Sequence, residues 1–173
     1  AFFTNLARRF SETWQVEGNE VILQALLTDI LCPAYASSVD ELIGSLEYAM
    51  LVAKRERSGK PVRFDERLQT EFRRRTYIAA RMENALREDS FFLNFQPVYN
   101  TFRQQFSGGE VLLRLNEENG RPISPSEFIP IAIESGIATQ LGKMVMDKTC
   151  RFLQANAHVN VGWLSINLSA QQD

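Results

Sequence analysis

Residues Phe95 to Leu115 read FQPVYNTFRQQFSGGEVLLRL. Two apolar runs flank a polar turn that carries glycine, the pattern of two strands joined by a loop. Inside the runs stand Gln96, Glu110 and Arg114. A carboxylate and a guanidinium four residues apart are an unusual use of a core strand, because charges are costly to bury without partners. Taken alone, the two also fit a surface ion pair. Their surroundings decide between the readings.

Downstream, Ser124-Pro125-Ser126-Glu127 is a capping box with proline at the first helical position. It predicts a helix over FIPIAIE that stops at Ser135-Gly136. A second helix is expected from about Thr139 to Asn156, turning Leu141, Met144, Val145, Phe152 and Leu153 inward. A strand, GWLSINL, follows from Gly162 to Leu168. From Gly109 onward the order is strand, helices, strand, which implies a parallel crossover.

Upstream, a strand is expected over Phe91 to Val98, preceded by a long connecting helix from Arg67 to Glu88. Phe72, Arg75, Ala79, Met82 and Leu86 share one face of that helix. Arg73-Arg74-Arg75 reads as a solvated face beside acidic partners. The N-terminal part begins with an amphipathic helix carrying Leu6, Phe10 and Trp14. VEGNEV (Val16 to Val21) then marks a turn between extended runs, of which VILQALLTDIL reads as a buried strand. Ser38-Val39-Asp40-Glu41 is a second capping box, opening a helix with Val39, Leu42, Leu46, Ala49, Met50 and Ala53 on one face. A short strand, PVRFDE, closes this part.

The 173 residues carry a net charge of −2 and a pI near 5.6, which argues against a broad nucleic-acid surface and leaves DNA out of the expected partners. No apolar run reaches the length of a membrane span, and no secretory pattern opens the chain. Cys32 and Cys150 form no CxxC, in keeping with a reducing, cytoplasmic setting. His158 reads as an exposed loop residue, Cys150 as core, and Trp14 and Trp163 as packing residues.

FQPV, GGEVLLRL, ISPSEFIPIAIESG, LGKMVMDKTC and SINLSAQQ occur in the order and spacing of an EAL-type cyclic di-GMP phosphodiesterase domain, which the chain therefore resembles. SVDELIGSLEYAMLVAKRERSGKPVRF is similar to the closing helix and strand of a GGDEF domain, with AMLVAK where that family tends to carry an AMYxAK-like run. The resemblance implies an α/β chain in three parts. Residues 1–66 would be the C-terminal half of a degenerate GGDEF-like domain, residues 67–88 a linking helix, and residues 89–173 the N-terminal part of an incomplete EAL-type TIM-like barrel.

By that resemblance Glu110 and Asn167 are ligands of a catalytic Mg²⁺ or Mn²⁺. Gln96, Leu112 and Arg114 line the cyclic di-GMP pocket. Oxygen donors suit hard cations, paired metals activate water, and an arginine fork suits phosphate. The motif here reads Glu-Val-Leu rather than Glu-Ala-Leu. The GGDEF signature loop is not in the chain, and LLTDIL replaces a Ser-Ile-Gly-like strand, so nucleotide synthesis is not expected. Lys54 aligns with a phosphate-contacting lysine of that family but reads as a solvated helix-end residue.

A (β/α)₈ barrel takes about 250 residues, and residues 89–173 suffice for roughly the first three strands. The remaining metal ligands of the family would lie past Asp173. The expectation is therefore a parent enzyme that hydrolyses cyclic di-GMP to linear pGpG with two metals, and a 173-residue chain without that activity. Open strand edges lead one to expect self-association or domain exchange. The alternatives are a non-catalytic cyclic di-GMP receptor or protein-interaction scaffold, and an unrelated α/β domain.

Overall fold

In a computed structural model of the chain, residues 2–23, 25–56, 58–159 and 161–167 are described. They divide into two compact units, Ala1–Arg74 and Arg75–Asp173.

In the first unit, α1 (Phe2–Ser11) precedes a hairpin of β1 (Thr13–Val16) and β2 (Asn19–Ile22). Glu17 and Gly18 take φ of 50° and 81°, the two left-handed residues that a tight hairpin turn demands. Trp14 lies in β1 and not in the expected helix. Its ring sits 5.9 Å from Phe10, with the Arg9 guanidinium 3.7 Å above it. The chain folds back after Ser11, so the apolar stripe continues in space while the helix does not.

The run Val21 to Leu31 is likewise not one buried strand. Its partner strand begins at Thr13, opposite Ile22, and β2 ends there with Ile22 72% exposed. A separate strand, β3 (Thr28–Ile30), pairs in parallel with β4 (Val62–Phe64), and Arg63 Nε donates to Asp29 Oδ2 at 2.7 Å. The crossover between them is α2 (Val39–Glu56). Ser38 Oγ accepts the Glu41 N–H at 3.2 Å as the capping box requires. The Glu41 carboxylate instead takes Ser37, accepting its hydroxyl at 2.6 Å and its N–H at 2.7 Å. Those bonds hold Glu41 below the usual carboxylate range.

The buried face of α2 is Ser45, Tyr48, Ala49, Val52 and Ala53, while Val39 is exposed. Tyr48 sets this face, because its ring packs 5.4 Å from Phe72 and its hydroxyl donates to Glu71 at 3.3 Å. The core of this unit is completed by Val62, Phe64 and Leu68.

Helix α3 (Glu66–Arg87) starts at Asp65, whose Oδ1 accepts the Leu68 N–H at 2.9 Å. Its later turns bury Ile78, Arg81, Met82 and Ala85. Ala79 and Leu86, expected to face inward, lie at the margin of that core. Arg75 is not fully solvated: its guanidinium pairs with Glu134 at 2.5 Å.

The second unit is built on a four-stranded sheet. β5 (Phe92–Asn100) and β6 (Gln105–Asn116) are antiparallel; β7 (Pro122–Ile123) returns beside the end of β6; β8 (Trp163–Ile166) runs parallel to β6. The strands joined by the hairpin outrun the expected spans, and Phe91 is a buried core residue just before β5. β7 is too short to leave a period in the sequence. The crossover from β6 to β8 passes through α4 (Pro125–Glu134) and α5 (Ala138–Ala155). The capping box at Ser124 forms, with Glu127 accepting the Ser124 N–H at 3.3 Å, and Gly136 ends the helix at φ 76°.

Phe91, Leu115, Ile123, Phe128, Ile131 and Leu141 form the core between sheet and helices. On α5 the buried residues are Leu141, Val145 and Thr149. Thr149 Oγ1 donates to the Val145 carbonyl at 2.7 Å, which removes the cost of burying its hydroxyl. Cys150 is turned about 100° from it and is exposed, contrary to expectation. Leu153 is also exposed. Among the described residues the sheet is open: β6, the two helices and β8 form the parallel crossover expected from the sequence, and no barrel is closed. None of their helices is long and apolar enough to cross a membrane.

Candidate functional site

Period-2 alternation divides the sheet of the second unit into two faces. The odd positions of β5 and β6 turn toward the helices. Phe95 stacks on Phe152 of α5 at 4.1 Å, and Val111 and Leu115 are buried. The even positions therefore occupy the opposite face. On β6 these are Gly108, Glu110, Leu112 and Arg114, all partly exposed.

Strand register then brings the separate segments together. Glu110 lies opposite Gln96 of β5 and opposite Ser165 of β8. Asn167, just past β8, donates its side-chain N–H to Glu110 Oε1. All five residues singled out from the sequence, Gln96, Glu110, Leu112, Arg114 and Asn167, thus lie on the central strand β6 or on or beside its neighbours β5 and β8. Arg114 Nη1 is folded back onto the Leu113 carbonyl at 2.9 Å.

Packing explains why Glu110 and Asn167 meet. One row below Glu110, Trp163 lies opposite Gly108, and a Cβ at Gly108 would come within 2.5 Å of the indole and of the Trp163 carbonyl. At the entry to β8, Gly162 has φ 74°, and a Cβ there would stand 2.2 Å from the Ser107 carbonyl. Both glycines allow β8 to lie tight against β6.

A carboxylate and an amide oxygen are the donor types that a hard divalent cation prefers. Glu110 and Asn167 carry donors of these two types, two of the six or more oxygens such an ion takes, although here Asn167 turns its NH₂ toward the carboxylate. Among the described residues no cluster of three or more His, Cys, Asp or Glu is placed to hold a metal.

The same face carries residues that the motif reading passed over. Phe92 lies opposite Arg114, Asn94 lies opposite Leu112, and Ser165 lies opposite Glu110. Extending the alternation outward from Gln96 and Asn167 finds all three. His158 is an exposed loop residue, as expected. A mainly apolar cavity of about 490 Å³ is lined by Val111, Leu141, Val145 and Ile166 and also by the candidate residues Leu112, Arg114 and Asn167.

An α/β unit whose hairpin and parallel crossover strand converge polar groups on one face defines a class, and comparison with known proteins gives the family. Residues 79–173, more than half of the chain, match the EAL domain family, and the chain belongs to it. Over 171 residues it is 26% identical to the bifunctional diguanylate cyclase/cyclic di-GMP phosphodiesterase MucR of Pseudomonas aeruginosa, covering 96% of this chain and 25% of MucR. Over 103 residues it is 33% identical to the cyclic di-GMP phosphodiesterase PdeF of Escherichia coli, covering 59% of this chain and 14% of PdeF. The chain thus spans a quarter or less of the length of these relatives. Among solved structures, the FimX EAL domain of Xanthomonas citri in complex with cyclic di-GMP superposes with a TM-score of 0.50 at 28% identity, over 60% of this chain and 40% of that one.

Proposed function

We propose that the second unit supplies one wall of a cyclic di-GMP phosphodiesterase site, in a protein that hydrolyses the cyclic dinucleotide to linear pGpG in the cytoplasm. The observation that carries this reading is the convergence of Glu110, Asn167 and Gln96 on one face of the sheet, with Arg114 four residues along the same strand. Homology to cyclic di-GMP phosphodiesterases supports it.

In this reading Glu110 and Asn167 hold a divalent cation, Mg²⁺ or Mn²⁺, through a carboxylate and an amide oxygen. A pair of such ions, when bound, supplies Lewis-acid activation of water and neutralises phosphoryl charge. Arg114 unfolds from the Leu113 carbonyl to fork two phosphate oxygens. Gln96 donates to or accepts from the dinucleotide beside them, and Leu112 supplies apolar contact to it.

Two donors do not complete a two-metal site, so the 173 residues alone are expected to leave cyclic di-GMP intact. Residues 1–66 are proposed as part of a degenerate GGDEF-like domain and residues 67–88 as its link to the EAL part, residues 89–173; the β3–α2–β4 crossover supports the first assignment. Self-association or strand exchange would cover the outer edges of β5 and β8.

The test is hydrolysis of cyclic di-GMP by the full-length protein in Mg²⁺, followed by chromatography of pGpG. Turnover that is lost in Glu110→Gln supports the reading; turnover retained in Glu110→Gln contradicts it. A second reading is a receptor that binds cyclic di-GMP without hydrolysing it. Binding of cyclic di-GMP without any pGpG would establish that reading instead.

A further inference from the structure

We propose, resting on the cyclic di-GMP reading above, that Phe92 and Asn94 form the nucleobase-recognition element of this site. Phe92 stacks on a guanine ring, and Asn94 hydrogen-bonds the edge of the base.

The two residues stand at i and i+2 on β5, so their side chains leave the same face about 7 Å apart. That face is the one bearing Gln96 and Glu110, and the register sets Phe92 opposite Arg114 and Asn94 opposite Leu112. Phe92 is 39% exposed, whereas its neighbours Phe91 and Phe95 serve the core and the α5 contact. It belongs to no apolar cluster of the unit. Asn94 is exposed and makes no side-chain hydrogen bond to the described residues. An aromatic ring and an open amide side by side on one face suit a flat, polar-edged ring. Unstacked bases are held in this way, by aromatic stacking and by side chains on their edges.

Their position relative to the charged groups agrees. The oxygen donors Glu110 and Asn167 lie toward β8, and Arg114 lies farther along β6, so a phosphodiester rests over the two parallel strands. The base, one ribose away from its phosphate, then reaches across to the β5 side. The Asn94 carbonyl can accept from the ring and exocyclic N–H groups of guanine, while its NH₂ donates to an acceptor.

The experiment is calorimetric titration of the full-length protein with cyclic di-GMP, in Mg²⁺ and again in EDTA, together with Mn²⁺ titration read by electron paramagnetic resonance. Phe92→Leu and Asn94→Leu are each expected to weaken cyclic di-GMP binding about ten-fold. Phe92→Tyr is expected to bind as the wild type does, and Mn²⁺ affinity to stay unchanged in all three. If the wild type binds and both leucine variants bind equally well, this assignment is wrong while the cyclic di-GMP reading stands. A parallel fall in Mn²⁺ affinity would also overturn it, because the substitutions would then be acting through the sheet. No binding by the wild type in either buffer would remove the underlying reading, and this one with it.

Discussion

Asn167 and Glu110 meet through a side-chain hydrogen bond across 57 residues of chain. The meeting is set by β-sheet register: β8 runs parallel to β6 with Ser165 opposite Glu110, and Asn167 follows two residues on. The Glu110–Asn167 pair depends on β8 keeping that register and that distance.

Gly108 should therefore be intolerant of a side chain. Gly108→Ala places a methyl group 2.5 Å from the Trp163 indole and backbone carbonyl, and overpacking of this kind costs about 1–3 kcal/mol. Urea unfolding is expected to show that loss. Because part of the clash is with the ring, Trp163→Ala in the Gly108→Ala background should recover some stability. A fully stable Gly108→Ala protein would mean that β8 is not held this closely.

Arg81 is a buried cation whose role is structural. Its Nε donates to the Asn116 carbonyl at 2.9 Å and its Nη2 to Ser90 Oγ at 3.1 Å, tying α3 to the end of β6. Arg81→Met keeps the apolar stem but leaves both acceptors unsatisfied, at a cost of about 1–3 kcal/mol in the same unfolding measurement. Arg81→Lys should recover little, since an ammonium lacks the planar fork that reaches both partners.

The Asp89–Lys148 pair predicts an acid-side dependence of stability. Lys148 Nζ lies 2.6 Å from Asp89 Oδ1, and its hydrogen bond and charge hold the Asp89 carboxyl below the ordinary value of 3.8. A carboxyl depressed in the folded state stabilises above its unfolded value, and that contribution is lost as pH falls through the folded one. Thermal melts of wild type and Asp89→Asn are expected to differ slightly near neutrality, since Asp89 is exposed. The gap should close as the pH drops below 3.8. A gap that stayed constant in acid would exclude the pair as its source.

Arg114 separates a phosphate fork from a point charge. In cyclic di-GMP binding by the full-length protein, Arg114→Lys is expected to lose most of the affinity that Arg114→Ala loses, about ten-fold or more. Wild-type affinity in Arg114→Lys would show that charge alone suffices at this position.

What could be read from the sequence was what periodicity and end signals report. Two apolar runs flanking a polar turn marked β5 and β6, the Ser124 capping box marked the start of α4, and the strand–helices–strand order implied the parallel β6–β8 pairing that the fold contains. The candidate residues Gln96, Glu110, Leu112, Arg114 and Asn167 were drawn from motif resemblance, and period-2 geometry places the strand residues among them on one face. Residues whose environment depends on a partner distant in sequence were not legible. Arg81 looks like any helix arginine until β6 offers a carbonyl. Cys150, expected in the core, is exposed, and Thr149 beside it is buried with its hydroxyl donating to the Val145 carbonyl. Trp14 continues an apolar stripe that the backbone has already left.

The central claim is that Glu110 and Asn167 share one divalent cation. Its most direct test is Mn²⁺ titration of the full-length protein by electron paramagnetic resonance, comparing wild type with Glu110→Gln, Asn167→Leu and the double variant. Each single substitution is expected to weaken Mn²⁺ binding about ten-fold or more, with the double variant losing less than the two combined. Wild-type Mn²⁺ affinity in both single variants would contradict it.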